Sequence, residues 1–141
     1  MVQLLIGHKG SGKTKSMCDM ANDTLNVANG SVVFLSKSDR LTYDLKHKIR
    51  IVCMADFKDI TNTDEYIGFI YGILSSDHDL EYVFIDSILK HADISAADLP
   101  EFFTRLNNIE QNNGVKFVVS ASLEKEEMDG VDFSACNVIE A

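Results

Sequence analysis

A glycine-rich segment near the amino terminus joins a short apolar run to a segment with helical periodicity. The apolar run is Val2–Ile6, and in the following segment Met17, Ala21 and Thr24 recur at helical spacing. Between them, Gly7–Thr14 fits the pattern G-x-x-x-x-G-K-S/T at every fixed position. Together these parts predict a buried strand that turns through glycines directly into a helix. This unit constrains the fold more than any other feature of the chain.

Apolar runs and helical segments alternate along the rest of the chain. Further strands are predicted at Val32–Leu35, Ile49–Cys53, Tyr82–Ile85, Val115–Val119 and Cys136–Ile139. Further helices are predicted at Ser38–Lys48, Thr61–Leu74, Asp98–Gly114 and Glu124–Met128. Gly68 and Gly72 lie on one side of the second of these helices, where we expect close backbone packing. The alternation predicts an α/β fold with three layers, in which helices cover both faces of a mainly parallel sheet of five or six strands.

Length and charge limit the classes of protein that the chain can represent. Its 141 residues, without any Pro-rich or Gly/Ser-rich linker, predict a single domain spanning residues 1–141. The net charge of −9 argues against broad contact with nucleic acid or an anionic membrane surface, because lysines and arginines must replace the phosphate counterions there. A nucleotide is not excluded, since a few backbone N–H groups and one lysine are enough to bind its phosphates.

The cysteines and the amino-terminal segment favour a cytoplasmic location. Cys18, Cys53 and Cys136 are far apart and have no metal-ligand spacing, so we expect reduced, structural thiols. Val2–Ile6 is too short for a signal peptide, and no run approaches the ~18 apolar residues of a membrane span.

Each fixed position of the glycine-rich segment suits the binding of a phosphate chain. Glycines allow the backbone to curl around an anion so that successive N–H groups point inward, and the start of the following helix adds its positive dipole end. Lys13 is expected to reach the β- and γ-phosphates, and the Thr14 hydroxyl to bind Mg²⁺. The predicted nucleotide-binding residues are Gly7, His8, Lys9, Gly10, Ser11, Gly12, Lys13, Thr14 and Lys15.

Asp86 is the predicted second contact of the metal ion. It directly follows four apolar residues, Tyr82–Ile85, and therefore stands at the end of a buried strand. An aspartate in this place commonly holds Mg²⁺ beside a phosphate-binding loop. The histidines offer no comparable site, because His47, His78 and His91 have no repeated spacing to an acid or a cysteine and are expected at the surface or in turns.

These two motifs, Gly7–Thr14 and Tyr82–Asp86, resemble those of the P-loop nucleoside triphosphatase superfamily, and most closely its RecA-like, additional-strand group. The resemblance implies that a polar sensor residue ends the strand beside the P-loop strand, where Ser120 stands. It also implies a catalytic acid after the second strand, for which Asp39 is the candidate. Many members have a glutamate directly after the Mg²⁺ aspartate, but this chain has Ser87. The chain is also similar to short bacterial proteins described as ATP-binding.

The resemblance implies Mg²⁺-dependent binding of a purine nucleoside triphosphate, with ATP expected. Hydrolysis is expected to be weak or dependent on a partner, because Ser87 replaces the glutamate and the arginines, Arg40, Arg50 and Arg105, include no evident internal arginine finger. A protein partner or a second copy of the chain would then complete the site, with Lys13, Asp39 and Ser120 as the catalytic candidates.

The sequence leaves three alternative functions open. A nucleotide sensor without hydrolysis fits the missing glutamate nearly as well as an ATPase does. A small-molecule kinase is less favoured, because such enzymes use several arginines to hold the acceptor and phosphates. A GTPase is also less favoured, because Ser36–Asp39 resembles a guanine-reading motif but precedes Asp86, and no D-x-x-G glycine follows Asp86.

Overall fold

The computed structural model describes residues 1–38, 44–91 and 93–141. Within these ranges the strands are β1 (Val2–Gly7), β2 (Ser31–Ser36), β3 (Arg50–Cys53), β4 (Leu80–Ile85), β5 (Lys116–Ser122) and β6 (Cys136–Glu140). The helices are α1 (Lys13–Val27), α2 (Thr63–Ser76), α3 (Leu99–Asn113) and α4 (Lys125–Met128), with short 3₁₀ turns at Met54–Asp56, Ile88–Lys90 and Ala96–Asp98. No helix in the described ranges is both long enough and apolar enough to cross a membrane.

All six strands form one parallel sheet in the order β3-β2-β4-β5-β1-β6. The expected α/β class and parallel sheet are therefore confirmed. Because the strands run in the same direction, the loops that follow β1, β2, β4 and β5 leave the sheet at the same edge. Strand β5 lies between β1 and β4, so the glycine-rich segment and Asp86 approach each other across one intervening strand.

The sheet carries an apolar cluster on each face. On one face, α1 contributes Met17 and Ala21, which pack with the stacked rings of Phe34 and Phe84, whose centroids are 6.1 Å apart. On the other face, α2 and α3 contribute residues such as Phe102, which is fully buried against the alternate side chains of the same strands. Burial on both faces explains the continuous apolar runs of the central strands, and the layers are compatible with the expected α/β/α order.

Helix α3 begins and ends at the residues that its sequence indicates. Pro100 lies in its first turn, where the missing N–H costs no hydrogen bond, and Gly114 ends it with φ 71°. Helix α2 begins one residue later than a cap at Thr61 would give, because the Asn62 side chain accepts a hydrogen bond from the backbone N–H of Glu65 at 2.9 Å.

Two expectations from the sequence are wrong. Asp44–Lys48, the described end of the helix expected at Ser38–Lys48, forms turns and bends, and residues 39–43 lie outside the described ranges. Gly68 and Gly72 do not mark a close approach, because a Cβ added to either one would meet no atom within 4 Å. Both are on the exposed side of α2, which turns its apolar side chains to the sheet.

We expect opposite effects on stability from alanine at Gly30 and at Gly68. A Cβ at Gly30 would lie 2.0 Å from the backbone oxygen of Asp79, which accepts a 2.7 Å hydrogen bond from the N–H of Ser31. Gly30→Ala should therefore destabilise the fold by about 2 kcal/mol or more. Gly68→Ala, in an open helical position, should stabilise it by roughly 0.5–1 kcal/mol.

Urea unfolding followed by far-ultraviolet circular dichroism measures both changes. The two variants add the same methyl group, so Gly68→Ala controls for the effect of alanine on the unfolded chain. A Gly30→Ala midpoint equal to that of the wild type would contradict the observed contact between the α1–β2 turn and the turn before β4.

Candidate functional site: a glycine-rich loop facing a buried aspartate

The loop between β1 and α1 has backbone angles that favour glycine. Gly10 and Gly12 have φ 83° and 85°, in the left-handed region, and the N–H of Ser11 donates to the carbonyl of His8 at 3.1 Å. Gly7 is favoured for a different reason, because a Cβ there would lie 2.5 Å from Ser11 Oγ and would displace that hydroxyl. The glycines thus permit a tight curl that other residues would strain or block.

Helix α1 begins directly at the end of this curl. Its N-cap is Gly12, which has no side chain to cap the first N–H groups, and no acidic residue occurs in the first turn. The positive end of the helix dipole and the free N–H groups therefore face the loop without an internal carboxylate to neutralise them. Such a helix end is suited to bind an anion.

The side chain of Lys13 lies across the loop. Its Nζ donates hydrogen bonds to the carbonyl oxygen of His8 at 2.6 Å and to Ser11 Oγ at 3.3 Å. Lys13 is 6% exposed. Burial lowers the pKa of its ammonium, and the positive charge of Lys90 lowers it further. The ammonium lies beside a cavity of about 300 Å³ that two glycines of the loop, Gly10 and Gly12, also line. This is the concave side on which the sequence predicts it.

Asp86 connects the loop to the rest of the sheet through hydrogen bonds to both of its carboxylate oxygens. Thr14 Oγ1 donates to Asp86 Oδ2 at 2.9 Å, and Ser120 Oγ donates to Asp86 Oδ1 at 2.7 Å. Asp86 is 5% exposed and Ser120 is fully buried. The structure therefore brings together the predicted metal-binding pair, Thr14 and Asp86, with the predicted sensor residue.

The position of Ser120 differs in one respect from the expectation. The expected strand ends at this residue, whereas β5 continues to Ser122, and Ser120 pairs in register with Leu5 of β1. Continuous pairing with β1 as far as Gly7 explains the longer strand. Ser120 consequently contacts Asp86 from within the sheet, below the strand ends, and also accepts a hydrogen bond from the N–H of Ser87 at 2.8 Å.

The chain turns sharply after Asp86. Ser87 has φ 58° and ψ 54°, and among the described residues it alone combines a positive φ with a side chain. A residue other than glycine costs about 1–2 kcal/mol in this region, and such strain is often found at functional sites. The turn leads into Ile88–Lys90 and brings Lys90 back over the site.

Lys90 is not among the residues predicted from the sequence. It lines the cavity beside Lys13 and also the neighbouring cavity of about 300 Å³ beside Asp86. No motif marks it, and the conformation of Ser87 that places it is unusual for serine. The one feature of the sequence that could have indicated Lys90 is its position, one short turn after the strand that leads to Asp86.

Lysines are concentrated around these two cavities. Their linings include five of the chain's 13 Lys and Arg side chains, namely Lys9, Lys13, Lys15, Lys37 and Lys90. The whole chain has a net charge of −9, so the positive charge at this edge is a local departure from the rest of the molecule. A local positive field of this kind attracts anions.

The other residues predicted for the site do not join the hydrogen-bond network around Asp86. Lys15 Nζ is held by Asp19 Oδ2 at 3.0 Å along α1, and the exposed ring of His8 lies 3.5 Å from Glu124 Oε2. Asp39 lies outside the described residues. Within the described ranges, no group of three or more His, Cys, Asp or Glu side chains could hold a metal ion. A metal ion at this site would therefore need ligands from outside the protein as well.

Behind Asp86, His91 lies in a turn, as expected, but its ring is half-buried and packs inward. Its Nδ1 forms a 2.7 Å hydrogen bond with the hydroxyl of buried Tyr66, and the two rings stack with centroids 5.8 Å apart. Its Nε2 is buried without a hydrogen-bond partner among the described residues. Burial lowers the pKa of His91 to about 4. The backbone and the carboxylate of Asp86 raise this pKa, whereas the charge of Lys37 lowers it further.

Comparison with known proteins assigns no family to this chain. No protein-family model matches it, and no curated protein matches it significantly. The loop, the lysines and the network around Asp86 therefore provide the basis for inferring its function.

His91 should make the fold less stable in mild acid. The pKa of His91 is about 4 in the folded protein and 6.5 in an unfolded chain. Between pH 6.5 and pH 4, therefore, the unfolded chain binds this proton and the folded protein does not. The free energy of unfolding should be independent of His91 above about pH 6.5 and fall by about 3 kcal/mol as the pH drops towards 4.

Urea unfolding at a series of pH values tests this expectation. His91→Gln removes the titrating group and should flatten the dependence over this range. His78→Gln replaces an exposed histidine and should follow the wild type. Equal slopes for the wild type and His91→Gln would show that His91 does not remain neutral in the folded protein.

Proposed function

We propose that this protein binds a nucleoside triphosphate together with Mg²⁺ in the site formed by Gly7–Thr14, Asp86 and Ser120. The observation that carries the proposal is the meeting of three features at one edge of the sheet. These are a glycine curl at a helix start, the buried Lys13 ammonium and the hydrogen-bonded Thr14–Asp86 pair. Each feature suits one part of a metal–triphosphate complex.

The loop would bind the phosphates, and the Thr14–Asp86 pair would hold the metal ion. Backbone N–H groups at the start of α1 and the Lys13 ammonium are donors with no competing acid in the first turn. Mg²⁺ is commonly bound by one or two protein oxygens together with phosphate oxygens and water, which agrees with a single carboxylate beside a hydroxyl. Bound there, the ion would neutralise phosphate charge, while Ser120 fixes the orientation of the Asp86 carboxylate.

Hydrolysis by the isolated chain is proposed to be weak. Ser87 follows Asp86, so no carboxylate stands next in the chain to orient an attacking water. Of the described arginines, Arg50 begins β3 at the far end of the sheet, and Arg105 of α3 is paired with Asp64 of α2. A protein partner or a second copy of the chain is the proposed source of the missing groups, and ATP is proposed from the resemblance of the motifs.

A nucleotide sensor that does not hydrolyse its ligand is the second candidate. The residue that favours it is Ser87, whose strained backbone links Asp86 to the following turn and so couples the site to nearby structure. Single-turnover measurement of phosphate release separates the candidates. Slow release supports a weak ATPase, and tight binding without release supports a sensor.

Lys13→Ala should weaken the binding of Mg·ATP by about 2 kcal/mol or more, roughly 30-fold, because a charge-assisted contact with phosphate is lost. Isothermal titration calorimetry with Mg·ATP, Mg·GTP and Mg·ADP measures the loss and the base preference. Lys116→Ala is a matched control, since Lys116 is an exposed lysine at the opposite end of β5. Failure of the wild-type protein to bind any of these nucleotides would refute the proposed function.

A further inference from the structure

We propose that Lys90 binds the terminal phosphate of the triphosphate and makes the site prefer a nucleoside triphosphate to a diphosphate. The proposal rests on the proposed function and adds a residue that no motif of the chain indicates. Lys90 would supply from within the chain the additional positive charge that the arginines of the described ranges do not bring to this edge of the sheet.

The backbone holds the Lys90 turn in a fixed place. The N–H of Ser87 donates to Ser120 Oγ at 2.8 Å, and the N–H of Lys90 donates to the carbonyl of Ser87 at 2.9 Å. Ile88 lies between them and is fully buried in the core. The exposed Lys90 side chain therefore extends from an anchored turn, so little backbone ordering is required for it to meet a ligand.

The position of Lys90 between two cavities indicates which phosphate it would contact. One cavity is lined by Lys13 and two glycines of the loop, and the lining of the other includes Asp86. The two linings share Thr14, Ser87 and Lys90. In the proposed complex the last phosphate lies between the loop and the metal-binding pair, which is the boundary that Lys90 occupies.

Electrostatics favour an anion between Lys13 and Lys90. Lys13 and Lys90 line the same cavity, so their two ammonium groups repel each other. A phosphate between them would replace this repulsion with two attractions. Because a diphosphate has less negative charge and a shorter phosphate chain, these attractions should strengthen mainly the binding of the triphosphate. A lysine suits this role, since its ammonium offers three donors on a flexible stem.

Lys37 provides a matched control for Lys90. It is also an exposed lysine, and it lines the cavity beside Asp86 but not the cavity beside the loop. If a general positive field were sufficient, removing either charge would weaken ATP and ADP binding to a similar extent. If Lys90 contacts the terminal phosphate, only its removal should change the preference between the two nucleotides.

The test is calorimetric titration of the wild type, Lys90→Met, Lys90→Arg and Lys37→Met with Mg·ATP and Mg·ADP. Methionine keeps an unbranched stem but removes the charge. Lys90→Met should weaken Mg·ATP binding by about tenfold while Mg·ADP binding changes by less than about twofold. Lys90→Arg should restore most of the preference for Mg·ATP, and Lys37→Met should leave the ratio of the two affinities unchanged.

The outcomes separate this inference from the proposed function. Wild-type binding that Lys13→Ala weakens, with an unchanged affinity ratio in Lys90→Met, would overturn the role of Lys90 alone. An equal loss of Mg·ATP and Mg·ADP affinity in Lys90→Met would also overturn it, because the lysine would then act only through the general field. Absence of nucleotide binding by the wild type would overturn both proposals.

Discussion

The Asp86 carboxylate joins segments of the chain that are far apart in sequence, and the geometry of the site depends on it. A buried carboxylate is costly unless its oxygens accept hydrogen bonds. Asp86 receives one from Thr14, 72 positions away, and one from Ser120, 34 positions away. The same contacts that stabilise the charge fix the start of α1 against β4 and β5. Stability of the fold and alignment of the site therefore have a common cause.

The turn after Asp86 carries strain because of this arrangement. The chain leaves the sheet through Ser87, which has a left-handed backbone conformation that glycine adopts at lower energy. The hydrogen bond from its N–H to Ser120 and the burial of Ile88 compensate for the strain. Behind the turn, His91 stacks on Tyr66 and packs as a neutral ring. The position of Lys90 is thus determined by packing on one side and by the Asp86 network on the other.

Local signals account for the features that the sequence predicts well. The glycine-rich segment specifies its own curl, and Tyr82–Ile85 specifies a buried strand that ends at Asp86. The contact of Ser120 with Asp86 depends on strand order, which the order of elements alone does not determine. The position of Lys90 at the site and the packing of His91 against Tyr66 were not predicted, because they depend on a left-handed serine and on a long-range aromatic contact. No periodicity in the sequence records either of these interactions.

The charge distribution supports the proposed preference for a nucleotide over a nucleic-acid polymer. A polyanion approaching a chain with a net charge of −9 meets overall repulsion, which the lysines collected at this edge of the sheet offset locally. Extended nucleic acid would bring many phosphates beyond this edge, whereas a nucleotide presents its phosphates within it. The buried Lys13 then acts at short range, where low solvent exposure strengthens its interaction. A compact basic site on a chain with a net negative charge therefore agrees with the proposed small phosphorylated ligand better than with a polymer.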